Sequence, residues 1–211
     1  MIVIKSAGVN EAWISTFQAL VEDGSETGNE KYLRDEVVLI EIAKPEVVLA
    51  DKRFPMAQTD LDVINKYIYS GDDEAKVVHE WTKLYYHRAF DNPNSQIEFL
   101  INNLNEEWPV GEAQISMWDK NIDQGKKVAP CTQIIWARIK NGKLELHVHA
   151  NSSDAYKKLL MNMLEFISLQ RYIADRVGIP VGKYYHILDS CHLHHKDKEK
   201  IDELYASLIT E

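Results

Sequence analysis

Apolar residues recur along the chain at two spacings, and the switches between them mark its elements. Trp13, Ile14, Phe17, Leu20 and Val21 follow one another at three and four residues, which predicts a helix from an N-cap at Asn10 to about Glu22. A polar loop over 23–29 follows. The β-branched runs at 37–42 and 47–49, broken by Pro45, predict two short strands joined by a turn, because proline cannot donate to a ladder. Helical spacing returns at 59–69, from 74 to about 87, and at 95–105, with breaks at Ser70-Gly71-Asp72-Asp73 and Asp91-Asn92-Pro93-Asn94. Residues 113–118, 133–139 and 144–149 read as strands, and Asn141-Gly142 predicts a tight hairpin between the last two. From 154 to 177 the pattern is apolar nearly all round (Leu159, Leu160, Met163, Leu164, Ile167, Ile173, Ala174), so a buried central helix is expected, ended by Gly178. A strand at 181–188 and an amphipathic helix at 198–209 close the chain. The sum predicts an α+β fold, a mostly antiparallel or mixed sheet with helices packed on one face around a long central helix.

Composition narrows the partners. With 211 residues, 45% of them hydrophobic, the chain has enough apolar material for one core, so 1–211 is expected to form a single domain. No apolar run approaches the roughly 20 residues that span a bilayer, and the first eight residues lack a signal peptide's long apolar segment; a cytoplasmic protein without a membrane partner is expected. A net charge of -9 argues against nucleic acid polymers, whose affinity rests on Lys and Arg neutralising phosphates. The one dense basic stretch, HLHHKDKEK at 192–200, carries Asp197 and Glu199 inside it and reads as a solvated helix start.

The candidate chemistry begins at Pro130-Cys131-Thr132-Gln133, where one of two cysteines sits between a charged loop and the apolar run Ile134, Ile135, Trp136. A thiol at a strand mouth can meet a ligand and be activated by nearby dipoles, whereas a thiol inside an apolar stripe is only packed. Cys131 and Cys191 are too few for a disulfide framework, so both are expected to be free. Asp154 admits two readings, a cap for the following helix or a ligand contact. Asn162 lies on an apolar stretch, and a buried amide without a partner costs about 1–3 kcal/mol, so it needs a fixed partner or a ligand. Alternation puts His147 and His149 on one strand face, but no carboxylate or cysteine completes a set, and no metal site is expected.

Over 113–194 the order of these residues resembles the thymidylate synthase and deoxycytidylate hydroxymethylase superfamily. The resemblance is carried by Ser116-Met117-Trp118, Pro130-Cys131, Asn141-Gly142-Lys143-Leu144, Ser152-Ser153-Asp154, Asn162, Val181-Gly182 and Ser190-Cys191-His192-Leu193, with a weaker likeness at Arg88-Ala89-Phe90 and Ser95-Gln96-Ile97. It implies that the Cys131 thiolate adds to C6 of a pyrimidine and makes C5 nucleophilic towards the one-carbon unit of 5,10-methylenetetrahydrofolate. It further implies that Asn162 reads the base edge and favours uracil over cytosine, that Asp154 joins the catalytic set, and that His192 contacts the sugar. Ser116, Trp118, Gln133, Ser152, His194 and Arg88 complete the implied substrate-binding set. The resemblance also implies a homodimer packed sheet against sheet.

Several positions depart from the family. Glu26, Gly111-Glu112 and Asn151 stand where it holds phosphate-binding arginines, and an asparagine cannot reproduce the guanidinium fork. No glutamate stands at the expected place in 60–69, His194 replaces a tyrosine, and the chain ends soon after it. Three readings follow: one-carbon transfer to C5 of a uracil nucleotide or nucleoside; pyrimidine hydroxymethylation, in which water captures the exocyclic methylene and which an open lid favours; and a binding or scaffold protein that kept the fold without the chemistry.

Overall fold

Two rows of side chains cross the central sheet and explain its two faces. Ile4, Ile40, His186, Val148, Ile135 and Ile115 are register partners in turn across six strands and point inward, and all but Ile4 are fully buried. One residue along, Lys5, Glu41, Tyr185, His147, Trp136 and Gln114 form the opposite row. This is the period of two expected of strands with one covered face.

The computed structural model describes residues 1–28, 30–91, 95–106 and 112–210. Its elements are β1 (Ile2–Ser6), α1 (Val9–Asp23), β2 (Tyr32–Ile42), α2 (Gln58–Ser70), α3 (Glu80–Phe90), α4 (Gln96–Asn105), β3 (Gln114–Ser116), α5 (Lys120–Asp123), β4 (Thr132–Lys140), β5 (Lys143–Ala150), β6 (Ser153–Asp154), α6 (Leu159–Val177), β7 (Val181–His194) and α7 (Lys198–Ile209). The sheet runs β1-β2-β7-β5-β4-β3, with β6 beside the end of β7. Pairing is mixed: β2 with β7, β3 with β4 and β4 with β5 are antiparallel, while β1 with β2, β5 with β7 and β6 with β7 are parallel. The fold is α+β, as the pattern predicted.

Helix α6 is the centre of the core. Thirteen of its side chains are buried, from Leu159 to Ala174, and they meet α1, α2 and α4 as well as β5 and β7. Each fully buried aliphatic side chain of this kind contributes about 1.5–3 kcal/mol, so the helix is held by packing on all sides. Its last turn ends at Gly178, whose φ of 79° is left-handed and whose N–H caps the Ala174 carbonyl. Near that end Gln170 is buried, and its Nε2 donates to the carbonyls of Leu144 at 2.8 Å and Lys183 at 3.0 Å, where the β5–β7 register slips. At Gly182 a Cβ would meet the Leu144 carbonyl oxygen at 2.9 Å, so the slip requires glycine there.

Several expected elements differ. The run at 47–49 is not a strand, because no sheet edge is offered to it; Asn10 clamps it instead, donating to Val48 O at 2.8 Å and accepting from Ala50 N at 3.2 Å. Asn10 is therefore not the N-cap, and α1 begins after Gly8. The helix expected from 74 breaks into a 3-10 turn at Glu74–Lys76 and an extended stretch through buried Val77 before α3 starts at Glu80. Helix α6 begins at Leu159, since Ser153 and Asp154 pair with β7 as a short strand. Strand β7 continues past 188 to His194 because β2 and β6 flank it on both sides. The expected break at Asn92-Pro93-Asn94, and Gly111 at one of the positions where the family holds an arginine, lie outside the described residues.

Candidate active site

Cys131 stands one residue before β4, half-buried and free. Its backbone is clamped on both sides. Asn151 N–H donates to the Cys131 carbonyl at 2.9 Å, and Thr132 N–H donates to the phenol oxygen of Tyr85 on α3 at 3.1 Å. The sulfur receives a hydrogen bond from Ser152 Oγ at 3.3 Å. These contacts fix where the thiol points without covering it.

The strand pair β6–β7 brings the remaining predicted groups alongside. Asp154 Oδ1 accepts from the N–H groups of Tyr156 and Lys157, each at 3.0 Å, so one oxygen caps the turn into α6. The other faces His194 Nε2 at 3.7 Å, so the cap and the ligand contact are compatible. His192 is buried against the Tyr32 ring, centroids 4.3 Å apart, and burial holds its imidazole below the ordinary pKa and neutral. Asn162 projects from the first turn of α6, its amide nitrogen 3.4 Å from Ser153 Oγ, which is its sole partner among the described residues. That contact is too weak to satisfy the amide, leaving it available to a ligand.

These groups line one cavity of about 460 Å³, a size suited to a small ligand. Cys131, Ser152, Asp154, Asn162, His192 and His194 all reach it. Ser116, Trp118, Gln133 and Arg88 do not. Ser116 Oγ donates to Trp118 O at 2.8 Å, which folds that strand end on itself. Gln133 Nε2 turns back to the carbonyls of Pro130 and Cys131 at 3.1 and 3.2 Å, so it supports the Pro130-Cys131 turn from behind. Arg88 is engaged by Asp123 in a bidentate pair and by the Met117 carbonyl, and its guanidinium holds the Asp123 carboxyl down at about 2.

Lys31, His79, Thr82, Tyr85, Lys158 and Glu165, which stand outside the predicted site set, line the same cavity. Glu165 is 5% exposed, and burial pushes its carboxyl up from 4.5 to about 7. Burial likewise pushes Tyr85 up to about 12. The usable signal was a lone glutamate on a buried face, one helical turn after Asn162. Among the described residues no group of three or more His, Cys, Asp or Glu is arranged to hold a metal ion, and no helix is long and apolar enough to cross a membrane.

A family model of thymidylate synthase matches residues 73–207, which include every residue named above as lining the cavity except Lys31 and Tyr32. The chain belongs to the thymidylate synthase family. Within that family it is 26% identical over 202 residues to a Methanocaldococcus jannaschii protein provisionally named a thymidylate synthase, covering 92% of this chain and 91% of the relative. It is 27% identical over 148 residues to the deoxyuridylate hydroxymethyltransferase of Bacillus phage SP01, covering 70% of this chain but 32% of the phage enzyme. Thymidylate synthase from Listeria monocytogenes is 25% identical over 139 residues, of which this chain spans 43% of the length. In structure the chain is similar to the thermostable thymidylate synthase A of Bacillus subtilis, with a TM-score of 0.71 at 17% identity over 92% of this chain and 84% of that one. That likeness shows the thymidylate synthase fold.

Proposed function

We propose that this protein transfers a one-carbon unit from 5,10-methylenetetrahydrofolate to C5 of a uracil nucleotide or nucleoside through a covalent adduct at Cys131. The reading rests on one observation: an oriented, half-buried sulfur opens on the same cavity as the under-satisfied amide of Asn162. Bonding of Sγ to C6 pushes the C5–C6 π pair towards the C4 oxygen, which makes C5 a nucleophile. Asn162 donates to that oxygen and accepts from N3–H, Asp154 and His194 orient the ring, and neutral His192 meets the sugar. After C5 has gained its substituent it gives its proton to solvent in the open cavity, and the C–H pair re-forms the C5–C6 π bond as the Sγ–C6 bond breaks and Cys131 leaves as a thiolate.

The cavity continues, through Val78, His79, Lys158 and Met161, into a cleft of about 280 Å³ walled by Phe54, Pro55 and Met56, with Asp60 and Lys157 on its lining as well. Its apolar walls suit a flat ring, and Lys157 and Lys158 outweigh the single carboxylate of Asp60 towards a carboxylate tail. When bound there, the folate supplies the one-carbon unit and, for methylation, the hydride. No arginine lines the described cavity, and Arg34, the arginine nearest in sequence to Lys31, is held by Glu26 at 2.8 Å. Lys31 and Lys158 are its ammonium groups, which favours a nucleoside or a loosely held nucleotide over a tightly clamped dianion. Hydroxymethylation is the second reading, favoured by the likeness to the phage enzyme. The outward face of the sheet carries stacked Tyr185 and His147 with Trp136 edge-on to the histidine, and we propose that a second copy packs there.

The deciding experiment is intact-protein mass after incubation with 5-fluorodeoxyuridylate or 5-fluorouridine plus the folate. The expected result is an adduct lost in Cys131→Ala; no adduct with either probe removes the catalytic reading and leaves a binding or scaffold protein. Dihydrofolate among the products identifies methylation, and its absence with product formed identifies hydroxymethylation. A protomer-sized mass in sedimentation removes the dimer.

A further inference from the structure

A carboxyl group buried without a cationic partner is costly, and proteins place one only where a second group needs it. Glu165 is such a group: no ion pair reaches it among the described residues, and the charged or titratable groups facing it, Lys158 and the Tyr85 and Tyr184 phenols, act on it only electrostatically. Its Oε2 accepts one hydrogen bond, from Thr82 Oγ1 at 3.2 Å, and that is its only protein partner among the described residues. Behind it lies a small void between Ile68, Phe90, Phe166 and Leu169, so one wall of its site is hydrocarbon. In front it lines the same cavity as Cys131 and Asn162 and stands one turn beyond Asn162 on the same helix face. Tyr85 stands between the carboxyl and the sulfur: its phenol receives the N–H next to Cys131, and both Cys131 and Glu165 act on it electrostatically.

We propose, resting on the reading of Cys131 as the nucleophile, that Glu165 is the proton-transfer residue of the reaction. As Sγ bonds to C6 and the π pair reaches the C4 oxygen, the Glu165 carboxylic acid gives that oxygen its proton. When C5 uses the returning pair to bond its electrophile, the carboxylate takes the proton back, so the residue ends as it began. A carboxyl that titrates near neutrality is matched to both halves of this cycle, and burial moves Glu165 to about 7.

The test is exchange of the C5 hydrogen of deoxyuridylate and deoxyuridine for deuterium in heavy water without folate, where the electrophile at C5 is a deuteron. Wild-type protein is expected to exchange, Cys131→Ala not at all, and Glu165→Gln at least about 100-fold more slowly with unchanged affinity for the probe. Removing the hydrogen bond that favours the carboxylate, by Thr82→Val, is expected to move the neutral limb of the pH–rate profile upward, which a packing role would not do. Exchange in Glu165→Gln within about threefold of wild type overturns this assignment alone and leaves Cys131 in place; that threshold lies far below a general acid–base effect. No exchange in the wild type with either probe overturns both.

Discussion

Replacing Glu165 by glutamine should make the protein progressively more stable than the parent as pH rises from about 4.5 to 7, and leave it nearly unchanged only below that window. The side chain keeps its shape and its acceptor for Thr82, while the titration is removed. In the folded protein the carboxyl loses its proton near 7 instead of 4.5. Between those values the unfolded chain has released the proton and the folded one has not, so stability falls as pH rises through this window and stays reduced above it. At about 1.4 kcal/mol per pH unit, the lost stability reaches about 3 kcal/mol near pH 8, against about 1 kcal/mol near pH 5. Urea denaturation of both proteins by circular dichroism measures the difference directly. A stabilisation of the same size at both pH values would show that the carboxyl is solvated in the folded state, and the physical basis for its role would be gone.

Other consequences are simpler to read. Asn162→Asp should shift C5 tritium release from uracil towards cytosine substrates, because a protonated carboxyl presents a different donor and acceptor pattern to the base edge; an unchanged ratio takes Asn162 out of base recognition. Iodoacetamide should label one thiol in the native protein and two after unfolding, since Cys191 is fully buried and burial raises its thiol pKa, while Cys131 opens on the cavity; two native labels would contradict that burial. Arg88→Ala should cost about 3 kcal/mol, because it leaves the buried Asp123 carboxylate only the Asp119 N–H and a Lys126 ammonium at 3.8 Å. Asp123 is held at about 2, so its stabilising pair persists above the ordinary carboxyl range and is lost only as pH falls towards 2; a variant of unchanged melting temperature at neutral pH would refute the pairing.

The elements legible in the sequence are those whose signal is local. Asn141 and Gly142 have φ values of 52° and 69°, the left-handed pair that a tight hairpin demands, and the turn falls where the dipeptide placed it. The apolar wrap of α6 likewise names a buried helix without help from the rest of the chain. Strand β1 was invisible because Ile2 to Lys5 becomes a strand only by pairing in parallel with Val38 to Glu41, a long-range choice. The run at 47–49 failed for the converse reason, having strand propensity but no edge to join. Six cavity residues were readable because each belongs to a short motif of two to four residues or stands in an unusual setting, such as an amide on an apolar helix. Glu165 was not, since a single charge on a helix ordinarily faces water, and only the packing of α2 and α3 around it shows otherwise.

Gln170 and Asn162 are eight residues apart on one rigid rod, about 12 Å at the rise of an α-helix. One end is bolted to the slipped junction of two strands, and the other holds the amide that faces the ligand. On the function proposed above, a residue with no access to the cavity thus sets the height at which the base is met. Gln170→Leu, which cuts the bolt while filling the space, should alter which ring the protein prefers before it alters how well the protein folds.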